Sequence, residues 1–381
     1  MKILLLNYEF PPMGGGAGNA TYNIARELAK LGHHVDVLTS KIKPQREQET
    51  IAGFNVYRVP SWRKGIHDCG MRGAYSFLFF AGFKLQQLIR SNQYDILHYF
   101  FSLPTGLLSL LPGPHRRLPY IVSLRGSDVP HYDIYNKKLK VFHWLLKPIT
   151  KHIWQKALKV VALSEGLKLT ALETYPTQKI VIIPNGIEAD LFKPAEKPLP
   201  ITGQFKLILV SRLIERKGIQ HVLQALSELN DKSIKLLIVG TGSYETHLKE
   251  LGKTLGLDDT VTFHGFCLRT ELPKLYNRHD CFILPSMAES FGIVFAEAMA
   301  CGLPIIGGRT GGVPDLIKSD NGILVEPGNI EEIKNAILNM QASPAKRKKL
   351  GHNNRTKVVN YYNWKSIAEK YMLNYRPKRS A

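Results

Sequence analysis

Glu289 and Glu297 bracket the run SFGIVFA, which is otherwise apolar or small. A helix starting near Phe291 would put Glu289 in the loop before it and Glu297 about two turns inside. The amides of Ser290, Phe291, Gly292, Ile293 and Val294 would then form an anion site, because the first N–H groups of a helix have no partner within it. A carboxylate on an apolar helix needs partners, since an unpaired buried charge is costly. Ribose hydroxyls would satisfy Glu297, and so would a structural arginine.

Cations stand in a comparable place. In VSRLIERKGI, Ser211, Arg212 and Lys217 follow a buried strand and precede a helix. Arginine can grip a phosphate with two N–H groups, and lysine supplies a point charge, so the pair suits a diphosphate. Gly240, in VGTGSYE, marks another tight turn at a strand end. Near the N-terminus, PPMGGGAGNATYN places Gly14, Gly15, Gly16 and Gly18 between a strand and a helix expected to begin near Asn19. Backbone can approach a phosphate or sugar closely there. The spacing does not fit a dinucleotide fingerprint, and Asp36 lies inside a strand rather than at its end.

Strands alternate with helices to position these groups. KILLLNY, HVDVLTS, YDILHYF, YIVSLRG, KVVALS and KIVIIPN read as buried strands, and the rhythm restarts at FKLILVSRL after a proline-rich stretch. Continuous apolar runs separated by helices indicate parallel sheets covered on both faces. The reading is an α/β chain of two doubly wound domains facing across a cleft, with ligand at the carboxyl ends of the strands. The boundaries expected are 1–190, a linker at 191–204, a second domain at 205–360, and a last helix at 361–381 that crosses back to the first domain.

The chain has 381 residues, 44% of them apolar and 22% charged, as in soluble α/β proteins. MKILLLNYEF reads as a first strand rather than a signal peptide, because Glu9 follows at once. Cys69, Cys267, Cys281 and Cys301 lack metal-ligand spacing, which fits a reduced, cytoplasmic protein. The net charge of +20 predicts an anionic partner. Residues 136–159 interleave seven lysines with Trp144, Trp154, Phe142 and leucines, while KRKK and RPKRS lie near the C-terminus. The first of these is either an interfacial helix on an anionic membrane surface or a surface helix packed on its own core. Pro148 is expected to split it. No nucleic-acid module is visible, which argues against DNA or RNA as the partner.

The segment ESFGIVFAEAMACGLPII resembles the E-x7-E motif of retaining glycosyltransferases of family four, which have the GT-B fold of two Rossmann-like domains. The supporting motifs follow in the family's order over nearly the whole chain: PPMGGGAGNATYNIARELAKLGHHVDVLTS, VIIPNGIEADLF, LVSRLIERKGI, LLIVGTGSYETHLK, VTFHGF and GILVEPGN. The resemblance implies that Glu297 binds the nucleotide ribose and Glu289 the donor sugar, helped by the amides of Phe291 and Gly292. Arg212 and Lys217 would neutralise the diphosphate and stabilise it as it leaves. The loop at Phe266, Cys267 and Leu268 would hold the base. Gly15 and Gly16 would approach the phosphates or the acceptor. Many family members carry a histidine in a segment like TLHGSD, but SLRGSDVPHY puts Arg125 there. Arg125 cannot act as a base. It would bind the acceptor or the diphosphate, or else pair with Asp128; Asp128 and His131 are further acceptor contacts.

The implied activity is transfer of a hexose-type sugar from a UDP- or GDP-sugar to a glycan or lipid-linked acceptor, in cell-surface polysaccharide or glycolipid synthesis. It would proceed with retention, with no tightly bound cofactor and, lacking an Asp-x-Asp motif, without a metal. The expected location is the inner face of the cell membrane. The alternative is a nucleotide-sugar-binding relative, an epimerase or a non-catalytic binder.

Overall fold

The computed structural model describes residues 1–13, 15–42, 44–63, 65, 69–133, 136–196 and 203–376. Two compact units result, Met1–Gly186 completed by the helix from Trp364 onward, and Ile187–Asn363. Gly14 and the RPKRS tail beyond Arg376 lie outside the described residues, as do 197–202 of the expected linker.

The first unit is built on β1 (Lys2–Leu6), β2 (His34–Lys41), β3 (Gln48–Ile51), β4 (Phe54–Pro60), β5 (Ile96–Phe100), β6 (Tyr120–Ser123), β7 (Lys159–Ala162) and β8 (Ile180–Ile182). Their order in the sheet is β3-β4-β2-β1-β5-β6-β7-β8. Only β3 and β4 pair antiparallel, through a tight turn in which Ala52 and Gly53 both take positive φ. Every residue of β5 is buried, as a strand covered on both faces must be. The covering helices are α1 (Gly16–Lys30), α2 (Gly70–Ser91), α3 (Lys137–Lys156) and α4 (Glu165–Thr174).

The second unit holds β9 (Phe205–Val210), β10 (Ile234–Val239), β11 (Val261–Gly265), β12 (Cys281–Leu284), β13 (Ile305–Gly308) and β14 (Gly322–Val325). Its helices are α5 (Ile219–Leu229), α6 (Glu245–Thr254), α7 (Leu272–Tyr276), α8 (Ile293–Ala300), α9 (Val313–Leu316), α10 (Ile330–Ala342) and α11 (Pro344–Tyr361). The all-parallel order β11-β10-β9-β12-β13-β14 is the doubly wound arrangement. Strand order reverses between β9 and β12, so the loops leaving these two strands part to opposite faces and open a crevice at their carboxyl ends.

The last helix, α12 (Trp364–Tyr375), belongs to the first unit. Trp364, Ile367, Ala368, Tyr371 and Tyr375 join Ile3, Leu5, Ile24 and Phe100 in one core. The crossing between units falls at Gly186, ahead of the expected linker. Residues 188–196 pack on the second unit instead, because Phe192 is fully buried and Arg355 donates to the carbonyls of Ala189 and Phe192 at 2.9 and 2.7 Å. Helix α3 runs unbroken through Pro148. Its C-terminal half is fixed by burial of Thr150, Ile153 and Trp154, while Trp144 stays 73% exposed. One helix thus contains a core-packed C-terminal half and an N-terminal half that exposes Val141, Trp144 and Leu145 while burying His143 against the carbonyl of Ser127.

His98, inside β5, meets the Tyr375 hydroxyl at 2.8 Å through Nδ1 and the Ser123 hydroxyl at 2.7 Å through Nε2. Burial, reinforced by the charge of Arg125, holds its pKa well below the ordinary 6.5. The unfolded chain therefore takes up a proton near that pH and the folded chain does not, so stability falls as pH drops below 6.5. Urea unfolding should show a loss approaching about 1.4 kcal/mol per pH unit from this residue, and His98→Gln should remove that slope.

Candidate active site

In the second unit, the loops after β9, β12 and β13 converge on Glu289. The carbonyl of Arg216 accepts from the Met287 amide at 2.8 Å, and the Arg216 guanidinium donates to the carbonyl of Ala288 at 3.0 Å. Gly312 donates its amide to the carbonyl of Glu289 at 2.9 Å. A Cβ on Gly311 (φ +50°) would run into that same carbonyl oxygen. Backbone-to-backbone contact on two sides thus fixes where the Glu289 side chain starts. Gly240, just past β10, lies equally close to the carbonyl of Ser211 and donates to that of Gly265 at 2.8 Å.

Lys217 closes a short turn before α5 and is buried. Its Nζ donates to Oε2 of Glu289 at 2.5 Å. Burial lowers the Lys217 pKa below its ordinary value, against the opposing pull of Glu289. Arg212 is exposed at the end of β9 and adds to that lowering by repulsion. Arg212, Lys217 and Glu289 therefore share the crevice at the switch point.

Helix α8 begins at Ile293 rather than at Phe291. Gly292 caps it in the left-handed region at φ +81°, a conformation that ends any helical continuation toward Phe291 and that a Cβ would resist. The first-turn amides thus start at Ile293 and Val294, with Ser290 in the loop beside Glu289 and Phe291 packed inward. Glu297, 3% exposed, has burial pushing its pKa up and Arg269 pulling it down. Arg269 Nε donates to its Oε1 at 2.9 Å, and the same guanidinium pairs with Glu188 and lies 4.8 Å from the Phe192 ring centre. Burial works to lower the Arg269 pKa, but the two carboxylates more than reverse this. Both partners escaped the sequence reading, since they stand 28 and 81 residues from their contacts and no periodicity links them. The clue was chemical: a buried glutamate calls for a cation, and Arg269 adjoins Phe266, Cys267 and Leu268. Phe266 and Leu268 are exposed after β11.

In the first unit, α1 starts at Gly16, earlier than Asn19, with Gly15 before it. A Cβ at Gly15 or Gly16 would meet nothing within 4 Å, whereas one at Gly18 would press on the carbonyl of Met13. Packing therefore does not demand the first two glycines. Asn7, past β1, ties the loop to the helix through Thr21 at 2.7 Å. Asp128 accepts from the amides of Arg125 (2.8 Å), Gly126 (3.1 Å) and Ser102 (2.7 Å), and so shapes the loops after β5 and β6. Burial raises the pKa of its carboxyl, against the opposing pull of those amide bonds. Arg125 meets Asp128 through its backbone. Its buried guanidinium goes instead to Asn185 at 2.8 Å and Tyr371 at 3.4 Å, over the Phe100 ring. His131 is exposed, with φ at +69°.

Two Rossmann-like α/β units in one chain, one with cations and carboxylates gathered at its switch point, define a GT-B architecture. Residues 193–357 match the family model described as Glycosyl transferases group 1, and 14–191 match Glycosyltransferase Family 4. An uncharacterized glycosyltransferase of Methanocaldococcus jannaschii is 29% identical, covering 99% of this chain and 98% of its own. The sucrose-phosphate synthase structure from Thermosynechococcus elongatus superposes with a TM-score of 0.85 at 24% identity, over 99% of this chain and 98% of that one. Anabaena HepE, solved with UDP and glucose, gives 0.73 at 21% identity over 98% of each chain. The chain belongs to the family-four glycosyltransferases, and its fold is GT-B.

Arg269→Met would leave Glu297 buried without its cation and raise its pKa further. A carboxyl raised above its unfolded 4.5 costs stability as pH climbs through the gap. Chemical denaturation should therefore show a deficit of about 3–5 kcal/mol at neutral pH that shrinks toward pH 5.

Proposed function

We propose that the protein moves a hexose-type sugar, with retention at the anomeric carbon, from a UDP- or GDP-sugar to a glycan or lipid-linked acceptor in cell-surface polysaccharide or glycolipid synthesis. The observation that carries this reading is the close pairing of buried Lys217 with half-buried Glu289 beside Arg212 at the switch point. A neighbour of the same fold was solved with UDP and glucose, which supports a nucleotide-sugar donor.

In this reading Glu289 accepts hydrogen bonds from the donor sugar's hydroxyls. Glu297, aligned by Arg269, takes the ribose. The exposed loop at Phe266, Cys267 and Leu268 receives the base, with Gly240 beneath it. Ser290, Phe291, Gly292, Ile293 and Val294 offer amides toward the sugar and diphosphate. Arg212 and Lys217 oppose the charge that grows on the diphosphate as the bond from its oxygen to the anomeric carbon breaks. The acceptor oxygen bonds to that carbon from the same face, and its proton passes to the departing diphosphate oxygen. Catalysis is then positioning and electrostatic stabilisation. Gly15 and Gly16 leave room for phosphate or acceptor, Asp128 keeps the neighbouring loops in shape, and Arg125 adds positive charge beneath them.

Glu289→Gln and Lys217→Ala should each lose most transfer of labelled sugar to membrane extract while keeping native circular dichroism; turnover like the parent's in either would refute the assignment.

We assign the acceptor to the inner membrane face on the strength of α3, whose exposed half carries Val141, Trp144 and Leu145 beside Lys138 and Lys140. Among the described residues no helix is long and apolar enough to cross a membrane. Lys138→Glu with Lys140→Glu should abolish salt-sensitive binding to phosphatidylglycerol vesicles in sedimentation.

A further inference from the structure

The first unit carries a second apolar surface that neither its core nor the donor site uses. Helix α2 exposes Met71, Tyr75, Phe79 and Phe83, four residues apart, so they run as one stripe along it. Phe79 and Phe83 are 62% and 65% exposed, with ring centres 5.1 Å apart. Phe80 links this pair, at 5.2 Å from Phe79, to Trp62 at 6.4 Å. Beside the stripe lies a groove of about 340 Å³ between α2 and residues 107–112, walled by Phe79, Gly82, Phe83, Leu107, Leu111 and Pro112. Side chains of this kind seldom stand together in water without an occupant.

Charge says what the occupant is. Residues 69–164 hold thirteen lysines and arginines against only Asp95, Asp128 and Asp133, a surplus of ten and half of the chain's +20. Neither α2 nor α3 contains an acidic residue. Exposed Arg116 and Arg117 follow directly on the groove wall, and Arg72 and Arg90 stand on α2 itself. An apolar slot with Arg72, Arg90, Arg116 and Arg117 on or directly after the elements that wall it complements a hydrocarbon chain under an anionic headgroup layer.

We propose that the α2 groove seats an acyl chain of an anionic bilayer, with the aromatic stripe entering the acyl boundary and the surrounding cations staying among the headgroups. This deepens the membrane reading of α3 and rests on it for the initial attraction, but uses a different helix and a different force.

Trp62 is a built-in reporter. Trp154 and Trp364 are buried, so Trp144→Phe leaves Trp62 as the exposed tryptophan. With phosphatidylcholine–phosphatidylglycerol vesicles brominated on their acyl chains, Trp62 emission should be strongly quenched in this background. Phe79→Ser with Phe83→Ser, both on the surface, should lower vesicle partitioning about tenfold or more. Gly82→Leu should fill the groove, since a Cβ there lies 2.8 Å from Leu111 Cδ1, and should remove the quenching while vesicles still bind. Vesicle binding with Trp62 unquenched overturns the groove and leaves α3 attraction standing. Absence of all vesicle binding, or a stable dimer in ultracentrifugation that shields Trp62, also overturns it; neither result touches donor binding, which a thermal-shift titration with UDP- and GDP-sugars reads separately.

Discussion

A buried lysine held against a half-buried glutamate sets the terms for the second unit. The buried lysine charge is costly there without its partner. Their meeting requires that the loops after β9 and β12 approach within a side chain's reach, and this in turn requires neighbouring strands with diverging connections. The doubly wound order supplies that neighbourhood at one place in the sheet. The lacing of Arg216 to Met287 and Ala288, and the press of Gly311 on Glu289, keep the approach from relaxing.

Helix α8 repeats the theme. Its burial would make Glu297 a liability, and Arg269 with Glu188 converts it into a fixed acceptor beside the exposed loop after β11. The two glutamates of one short segment are thus restrained by different cations from different loops. Glu289 faces a lysine whose proton is loosened by burial, and Glu297 an arginine that keeps its charge.

Much of this was legible beforehand. Buried strands announce themselves as apolar runs, so the parallel sheets and the positions of Arg212, Lys217, Gly240 and Glu289 at strand ends were readable. Contacts between distant loops were not: Arg269 and Glu188 carry no local sign of their partners. The β3–β4 hairpin and α2 fell between two expected strands. The hairpin alternates polar and apolar residues, and the aromatics of α2 face outward and blur its helical period. Gly292 shifted a helix start by two residues because a left-handed residue cannot be read from apolar spacing. Pro148 failed to break α3 because burial of Trp154 and its neighbours outweighs one lost backbone bond.

The closing helix bears on how the molecule comes into being. Trp364, Ile367, Tyr371 and Tyr375 are core residues of the unit whose first strand begins at Lys2. A ribosome therefore delivers every strand of that sheet long before its last core side chains exist. The second unit, contiguous from Ile187 to Asn363, is complete in the chain before α12 emerges. The first unit's sheet is made before the second unit yet completed after it, and during synthesis it must wait with an uncovered seam until α12 arrives.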